Sequence, residues 1–322
     1  MPLCFLFYQR VGIPAAAIAQ DELAHLKVDR LTSVGMLITN ADDFGLAGGV
    51  NRAVMELHRA GLLTSTTLMA CAGATQQAAE LARQMPQLGV GCHVVLVDGD
   101  PVLSPVDQIP HLAESSSGRF RSTLGKFLPW LHGLSAGSGT AEQRAREIEA
   151  ETSAQVALLQ QQGVPLTHID THKHTHMFPA VLRPVLRAAS RAGIRVVRNP
   201  FEPSWSVAAT PRAPWLRRFQ VNTLRRLEQQ FRRIVAEEGF RTTDGALGVL
   251  ATGTLDPSTV RSLLQSLPSE GIYELVTHPG YNDADLQRAH TRLLASRELE
   301  SKSLSVLKEH AEIRLTSFAH LG

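Results

Sequence analysis

Between residues 168 and 176 the chain sets four histidines and an aspartate at every second position: His168, Asp170, His172, His174 and His176. Imidazole nitrogens and carboxylate oxygens ligate divalent metal ions, and imidazole is the usual proton carrier near neutral pH. In extended chain a spacing of two puts all five on one face, although the strand is expected to give way to a loop beyond Asp170. A row of imidazoles packs no better than aliphatic side chains would, so a metal or catalytic role accounts for it best. Not all of them can be ligands, because a hydrolytic zinc-type site commonly takes three protein groups and leaves a position for water.

Four other runs carry reactive groups. Asn40-Ala41-Asp42-Asp43-Phe44-Gly45 holds adjacent carboxylates, which repel unless a cation or a shared proton compensates; the plainer account is a helix N-cap or Asx turn. Gly91-Cys92-His93-Val94-Val95-Leu96 puts a histidine in an apolar strand, with His93 and Cys92 pointing to opposite faces. Taken alone, such a histidine is more often a hydrogen-bonded core residue than a ligand. Glu274-Leu275-Val276-Thr277-His278-Pro279 runs from a strand into a turn and leaves His278 at the strand's carboxyl end. Arg198, after the strand expected at Ile194 to Val197, either pairs with one of the aspartates or caps a sheet end.

The elements that must position these residues follow from the pattern of apolar runs. From Met36 onward, short apolar runs alternate with helical periods, as βα units around a parallel sheet do. Strands are expected near 36–40, 64–70, 90–96, 166–171, 194–198, 247–251, 272–277 and 312–316. Helices are expected through Val50, Val54 and Leu57 up to Gly61, from Thr140 to Gln162, and from Pro179 to Gly193, where Pro184 predicts a kink or a late start. Eight strands make an α/β fold of the distorted (β/α) barrel, TIM-barrel-like kind, in a single domain. Every candidate residue then falls at or near the carboxyl end of a strand, where barrel enzymes build their sites. The long stretches 97–139 and 199–246 interrupt the alternation and are expected to overhang that end as lids or substrate walls.

The chain of 322 residues is 43% hydrophobic and 19% charged with a net charge of +2. This composition suits a globular enzyme and gives no reason to expect a nucleic acid partner. Three scattered cysteines, Cys4, Cys71 and Cys92, suggest a reduced, cytoplasmic setting. No apolar run reaches the ~18 residues of a spanning helix. Residues 1–35 are read as an N-terminal extension outside the core, without the basic start of a secretion signal, and 36–322 as the barrel domain.

Together, Asn40 to Gly45, Gly91 to Leu96, Thr167 to Phe178 and Thr277 to Gly280, in that order, resemble the YdjC-like carbohydrate deacetylases over about residues 36–316. The run Arg198-Asn199-Pro200-Phe201-Glu202-Pro203 and the basic segment after it are similar to the hopanoid-associated branch of that family, HpnK. The resemblance implies an N-acetylated sugar substrate, such as N-acetylglucosaminyl hopanoid. It also implies a divalent metal ion held by Asp43, His93 and His172, with Asp42 as base and His278 as acid. Arg198 would keep Asp42 ionised, and Asp170 would support a ligand imidazole. Two imidazoles and a carboxylate suit zinc first, with cobalt, nickel, manganese or magnesium as alternatives.

His168, His174 and His176 receive no role, and a homodimer is left open. Residues 212–233 contain seven arginines and one glutamate among apolar residues at helical spacing. Either the apolar stripe packs on the barrel, or residues 212–234 form an amphipathic helix on anionic lipid, which would place the enzyme at the inner membrane face. The rival enzyme class is a metal-dependent phosphoesterase, whose sites often hold two ions about 3.5–4 Å apart. A non-catalytic sugar-binding module is the remaining reading.

Overall fold

The computed structural model describes residues 35–321 except 211, 290 and 292. The expected extension therefore lies, but for Gly35, outside the described residues.

Seven parallel strands form one curled sheet: β1 (Met36–Phe44), β2 (Ser65–Leu68), β3 (Gly89–Val94), β4 (Leu166–Thr171), β5 (Gly245–Leu247), β6 (Ile272–Thr277) and β7 (Arg314–Thr316). Their order is β4-β3-β2-β1-β6-β5. β7 pairs with the first three residues of β1, the part of that edge which β2 leaves uncovered. The helices are α1 (Gly48–Arg59), α2 (Thr75–Gln84), α3 (Leu124–Leu131), α4 (Ala141–Gln161), α5 (Pro179–Arg191), α6 (Ser204–Ala208), α7 (Trp215–Leu224), α8 (Glu228–Glu237), α9 (Pro257–Gln265), α10 (Ala284–Arg288) and α11 (Arg297–Ser303).

The expected strand at 194–198 is corrected: it is reduced to isolated bridges, Ile169 with Val197 and Val196 with Arg241. Five backbone bonds carry this segment across the gap between β4 and β5: Ile169 N to Val196 O (3.0 Å), Arg198 N to Ile169 O (3.1 Å), Arg241 N to Arg195 O (2.8 Å), Val197 N to Arg241 O (3.0 Å) and Ala246 N to Phe201 O (3.0 Å). Pro200 removes a donor where a regular ladder would need one, so the ladder is interrupted there. The strand expected at 247–251 is likewise shorter and earlier, ending at Leu247 before a turn at Gly248 with φ of 84°. The barrel is thus a curled sheet stitched along one side.

Alternation within the strands separates two interiors. Leu37 and Ala41 of β1, Cys92 of β3 and Ile169 of β4 join the main apolar core against the helices. Their neighbours Ile38, Asn40 and Asp42, His93, and His168 and Asp170 face the other way, into the barrel. There the filling is mostly polar, with a small apolar floor of Ile38, Val196 and Phe318, on which the His168 ring stacks at 4.0 Å. TIM barrels usually fill that space with branched aliphatic side chains; here the site itself fills it.

α4 begins with a capping box, Thr140 with Gln143, as the sequence suggested for its start. One face of α4 carries Glu147, Glu151 and Gln155 at intervals of four, all buried. Gln155 takes both backbone groups of Val95, Glu151 accepts from Val102 N and Leu103 N, and Glu147 accepts from His111 N and Leu112 N. This polar stripe fixes the start of the 97–139 excursion. α5 runs on through Pro184, which stays buried within it.

Candidate active site

Three strands deliver the core of the site directly: Asp43 near the end of β1, His93 in β3 and His172 just after β4. Asp43 Oδ1 lies 3.5 Å from His93 Nε2 and 3.4 Å from His172 Nδ1, and the two nitrogens are 3.2 Å apart. A tetrahedral ion with bonds of about 2.0–2.1 Å spaces its ligands about 3.3–3.4 Å apart. Asp43 Oδ1 is buried and has no hydrogen-bond partner. The donor set and the orphaned oxygen both fit a divalent cation.

Local backbone makes the convergence possible. Neighbours on a regular strand point to opposite faces, yet Asp42 and Asp43 serve one site. The β1–β2 register shifts between Ala41 and Phe44, and Asp43 adopts φ of 63°. Aspartate is among the few residues that tolerate this left-handed conformation, at a cost of ~1–2 kcal/mol. Lys173 and His174, at φ of 57° and 53°, turn the chain immediately after His172. That turn ends the row of histidines expected beyond Asp170.

Two of the three, Asp43 and His93, are held from behind. Arg297 of α11, fully buried, donates to Asp43 Oδ2 at 2.6 Å. Burial alone would raise the Asp43 carboxyl, but Arg297 and His172 hold it well below its usual range. His93 Nδ1 lies 2.8 Å from Asp170 Oδ1, which leaves Nε2 to face Asp43, a common way of fixing a ligand imidazole. Burial works against a charge on His93, yet Asp170, Asp42 and Asp43 raise it to about 9.

Arg198 ties the barrel interior together. It is fully buried and reaches Asp42 with two bonds of 2.9 and 2.6 Å, Glu274 of β6 with bonds of 2.6 to 3.0 Å, and Asp170 Oδ2. The Asp42 carboxyl, which burial would raise, is driven far down by Arg198 and His93. Three carboxylates share one guanidinium, and burial pushes Glu274 up to about 7 despite it. Asp42, His93 and Asp170 also lie close enough to form a second candidate cation cluster. Arg198 bonds both of its aspartates, so a fixed cation already serves it.

His278 follows β6, with Nε2 3.8 Å from Asp42 Oδ2 and Nδ1 3.4 Å from Glu300 Oε2. The same Glu300 oxygen accepts the His278 backbone N–H at 2.6 Å. Burial opposes the imidazolium, but Glu300, with Asp42 and Asp43, raises His278 above its ordinary value.

All six residues singled out as ligands or catalytic groups therefore meet at one end of the barrel. His168 and His176 do not join them. His168 packs beneath Gly91, where an added Cβ would stand 2.6 Å from the ring. His176 is tied to Thr171 Oγ1 at 2.7 Å and to Arg198 O at 3.2 Å. Glu274, Thr67, Arg297 and Glu300 were missed as site residues. Thr67 donates to Asp42 at 3.1 Å. The only signal for Arg297 and Glu300 was two opposite charges one helical turn apart, which reads as a solvated pair.

A cleft of about 530 Å³ opens over Asp43 and His172, walled by Cys71, Asp98, Arg119 and Asp285 among others. Residues 97–139 thus border it, as expected. Lys173 Nζ donates to Asp98 Oδ2 at 2.6 Å and braces that wall against the turn after His172.

Fold and site together define an α/β barrel in which Asp43, His93 and His172 converge with the geometry of a cation site, next to a carboxylate and an imidazole. The chain belongs to the YdjC-like protein family, whose model matches residues 36–311. It is 33% identical over 293 residues to a carbohydrate deacetylase of Brevibacillus brevis, covering 89% of this chain and 99% of that protein. It is 32% identical to a chitooligosaccharide deacetylase of Proteus mirabilis, covering 85% and 92%. Among solved structures, an Enterococcus faecalis protein assigned to cellobiose-phosphate cleavage superposes with a TM-score of 0.68 at 25% identity, covering 90% of this chain and 99% of that one.

Proposed function

We propose that the protein is a metal-dependent sugar N-deacetylase. The observation that carries this reading is the triangle of Asp43, His93 and His172 beside a separate carboxylate and a separate imidazole. The relatives named carbohydrate and chitooligosaccharide deacetylase support an N-acetylated sugar as substrate.

Amide hydrolysis needs an activated water, a polarised carbonyl and a protonated leaving group. A divalent ion on Asp43, His93 and His172, zinc first with cobalt, nickel, manganese or magnesium as alternatives, supplies Lewis-acid polarisation of carbonyl and water. Asp42 takes the proton from the attacking water. Arg198 holds its carboxyl below the usual carboxylate range and so in the ionised form, and fixes its aim. The water oxygen bonds to the acyl carbon, the C–N bond breaks, and His278 Nε2 gives its proton to the departing amine. Acetate and the free amine are the products. General acid or base assistance of this kind typically contributes about 10²–10⁴ in rate.

A single ion is favoured over the two-ion arrangement of many phosphoesterases, because Arg198 serves the second cluster. Metal counting per chain, with acetate and phosphate release assayed side by side, tests this; two ions per chain with phosphate release would overturn it. The finer substrate proposal is N-acetylglucosaminyl hopanoid. Its test is mass spectrometry of that lipid after incubation with the enzyme, where loss of one acetyl group is expected. Within the run at 198–203, Arg198 serves the site and Glu202 accepts from Gly248 N and Leu250 N, tying the run to the turn after β5.

A further inference from the structure

Residues 212–233 divide into two parts with opposite orientation. Leu224, Leu227, Phe231 and Ile234 pack onto the main core, as the apolar-stripe reading expects. In the first turns of α7, from Trp215 to Phe219, the polarity is inverted. Arg217 and Arg218 turn toward the protein: Arg217 donates to Thr252 O at 2.7 Å and Val249 O at 3.3 Å, and Arg218 to Val207 O and Thr210 O at 2.8 Å each. Trp215, Leu216 and Phe219 point outward, 79%, 52% and 63% exposed, and no residue of α7 is buried.

We propose that this face of α7 docks on an anionic lipid bilayer. Two aromatic rings one turn apart, with a leucine beside them, form an apolar patch of the kind that inserts at a membrane interface. Exposed cations stand at both ends of it, Arg212, 3.4 Å from Asp256, before Trp215 and Arg226 beyond Phe219. Anionic headgroups complement that charge. A second copy of the chain does not, because two-fold pairing of the patch would set arginine against arginine.

Placement gives the docking a purpose. Val249 and Thr252, which receive Arg217, lie in the turn after the carboxyl end of β5, and Gly253 N donates to Glu300 Oε1 at 2.9 Å. The other oxygen of Glu300 holds His278. α7 therefore stands at the catalytic end of the barrel, and docking would bring that end toward the lipid. The inference does not depend on which bond the site hydrolyses.

Flotation of the full chain with vesicles tests it. The chain is expected to float with mixed phosphatidylglycerol and phosphatidylcholine vesicles and to stay behind with phosphatidylcholine alone. Trp215→Ser with Phe219→Ser should cut vesicle partitioning roughly tenfold or more, from the lost burial of two rings, with the thermal melt unchanged. Arg212→Gln with Arg226→Gln should weaken the preference for anionic vesicles. Failure of the parent chain to float overturns the proposal, as does undiminished flotation of the serine variant. A dimer in sedimentation velocity that the serine variant dissolves would assign the patch to a second copy and overturn it equally.

Discussion

Asp42 and Asp43 are adjacent in sequence yet answer to different cations. Asp43 faces two imidazoles and is backed by Arg297, whereas Asp42 is clasped by Arg198. Asp42→Asn should therefore keep one metal ion per chain while turnover falls by about 10²–10⁴, and His172→Ala should lose both. Elemental analysis together with acetate release checks this pair, and normal turnover in either variant would refute the assigned roles. Glu300→Gln probes the acid. The Glu300 carboxylate favours the imidazolium and raises His278, so its removal lets His278 lose its proton at lower pH. The alkaline limb of the kcat/KM profile should move toward acid, with less change on the acid side. His93 offers a test independent of turnover. Held at about 9 by its aspartate neighbours, it must shed a proton to bind an ion below that pH. Metal affinity should rise with pH, and calorimetry in buffers of different ionisation enthalpy should detect the proton released.

At the scale of elements, the sequence announced the strand ends better than the strands. β1, β3, β4 and β6 each carry a polar residue where an apolar run should continue, and those interruptions are the site. Arg198 was visible as a candidate, but its segment read as a strand because Ile194, Val196 and Val197 are β-branched and apolar, and only the geometry shows that pairing lapses there. Arg297 and Glu300 were illegible because a charged pair on a helix is ordinarily solvated, and what makes these two special is that both are fully buried beneath the loop that carries His278. The polar face of α4 was hidden for the same reason: Glu147, Glu151 and Gln155 look like an exposed stripe until the 97–139 excursion is seen to hang from them. Glu151→Ala should leave Val102 N and Leu103 N without their acceptor. A loss of about 1–3 kcal/mol is expected, and faster hydrogen exchange confined to that excursion is the measurement.

For the molecule as a whole, stability and the cation are linked. An ion that binds only the folded chain adds ~2.7 kcal/mol at a hundredfold excess over its Kd, so Tm should fall on treatment with a chelator and recover when metal is restored. Unchanged melting would argue against a bound ion. A chain beginning at Met36 is proposed to fold and turn over as the longer one does, and loss of either would show that the leading residues belong to the domain. Arg198→Met leaves Asp42, Asp170 and Glu274 around an uncharged side chain, and a loss of about 3–5 kcal/mol is expected from urea unfolding.

That last residue has a bearing on any attempt to move this chemistry elsewhere. Grafting three ligands onto the rim of another barrel would copy the cation and little more. The base is aimed by a guanidinium rooted in the stitched seam, and that guanidinium is balanced by acids on β4 and β6. A transplant would have to bring the inside of the barrel with it, which is to say most of the sheet.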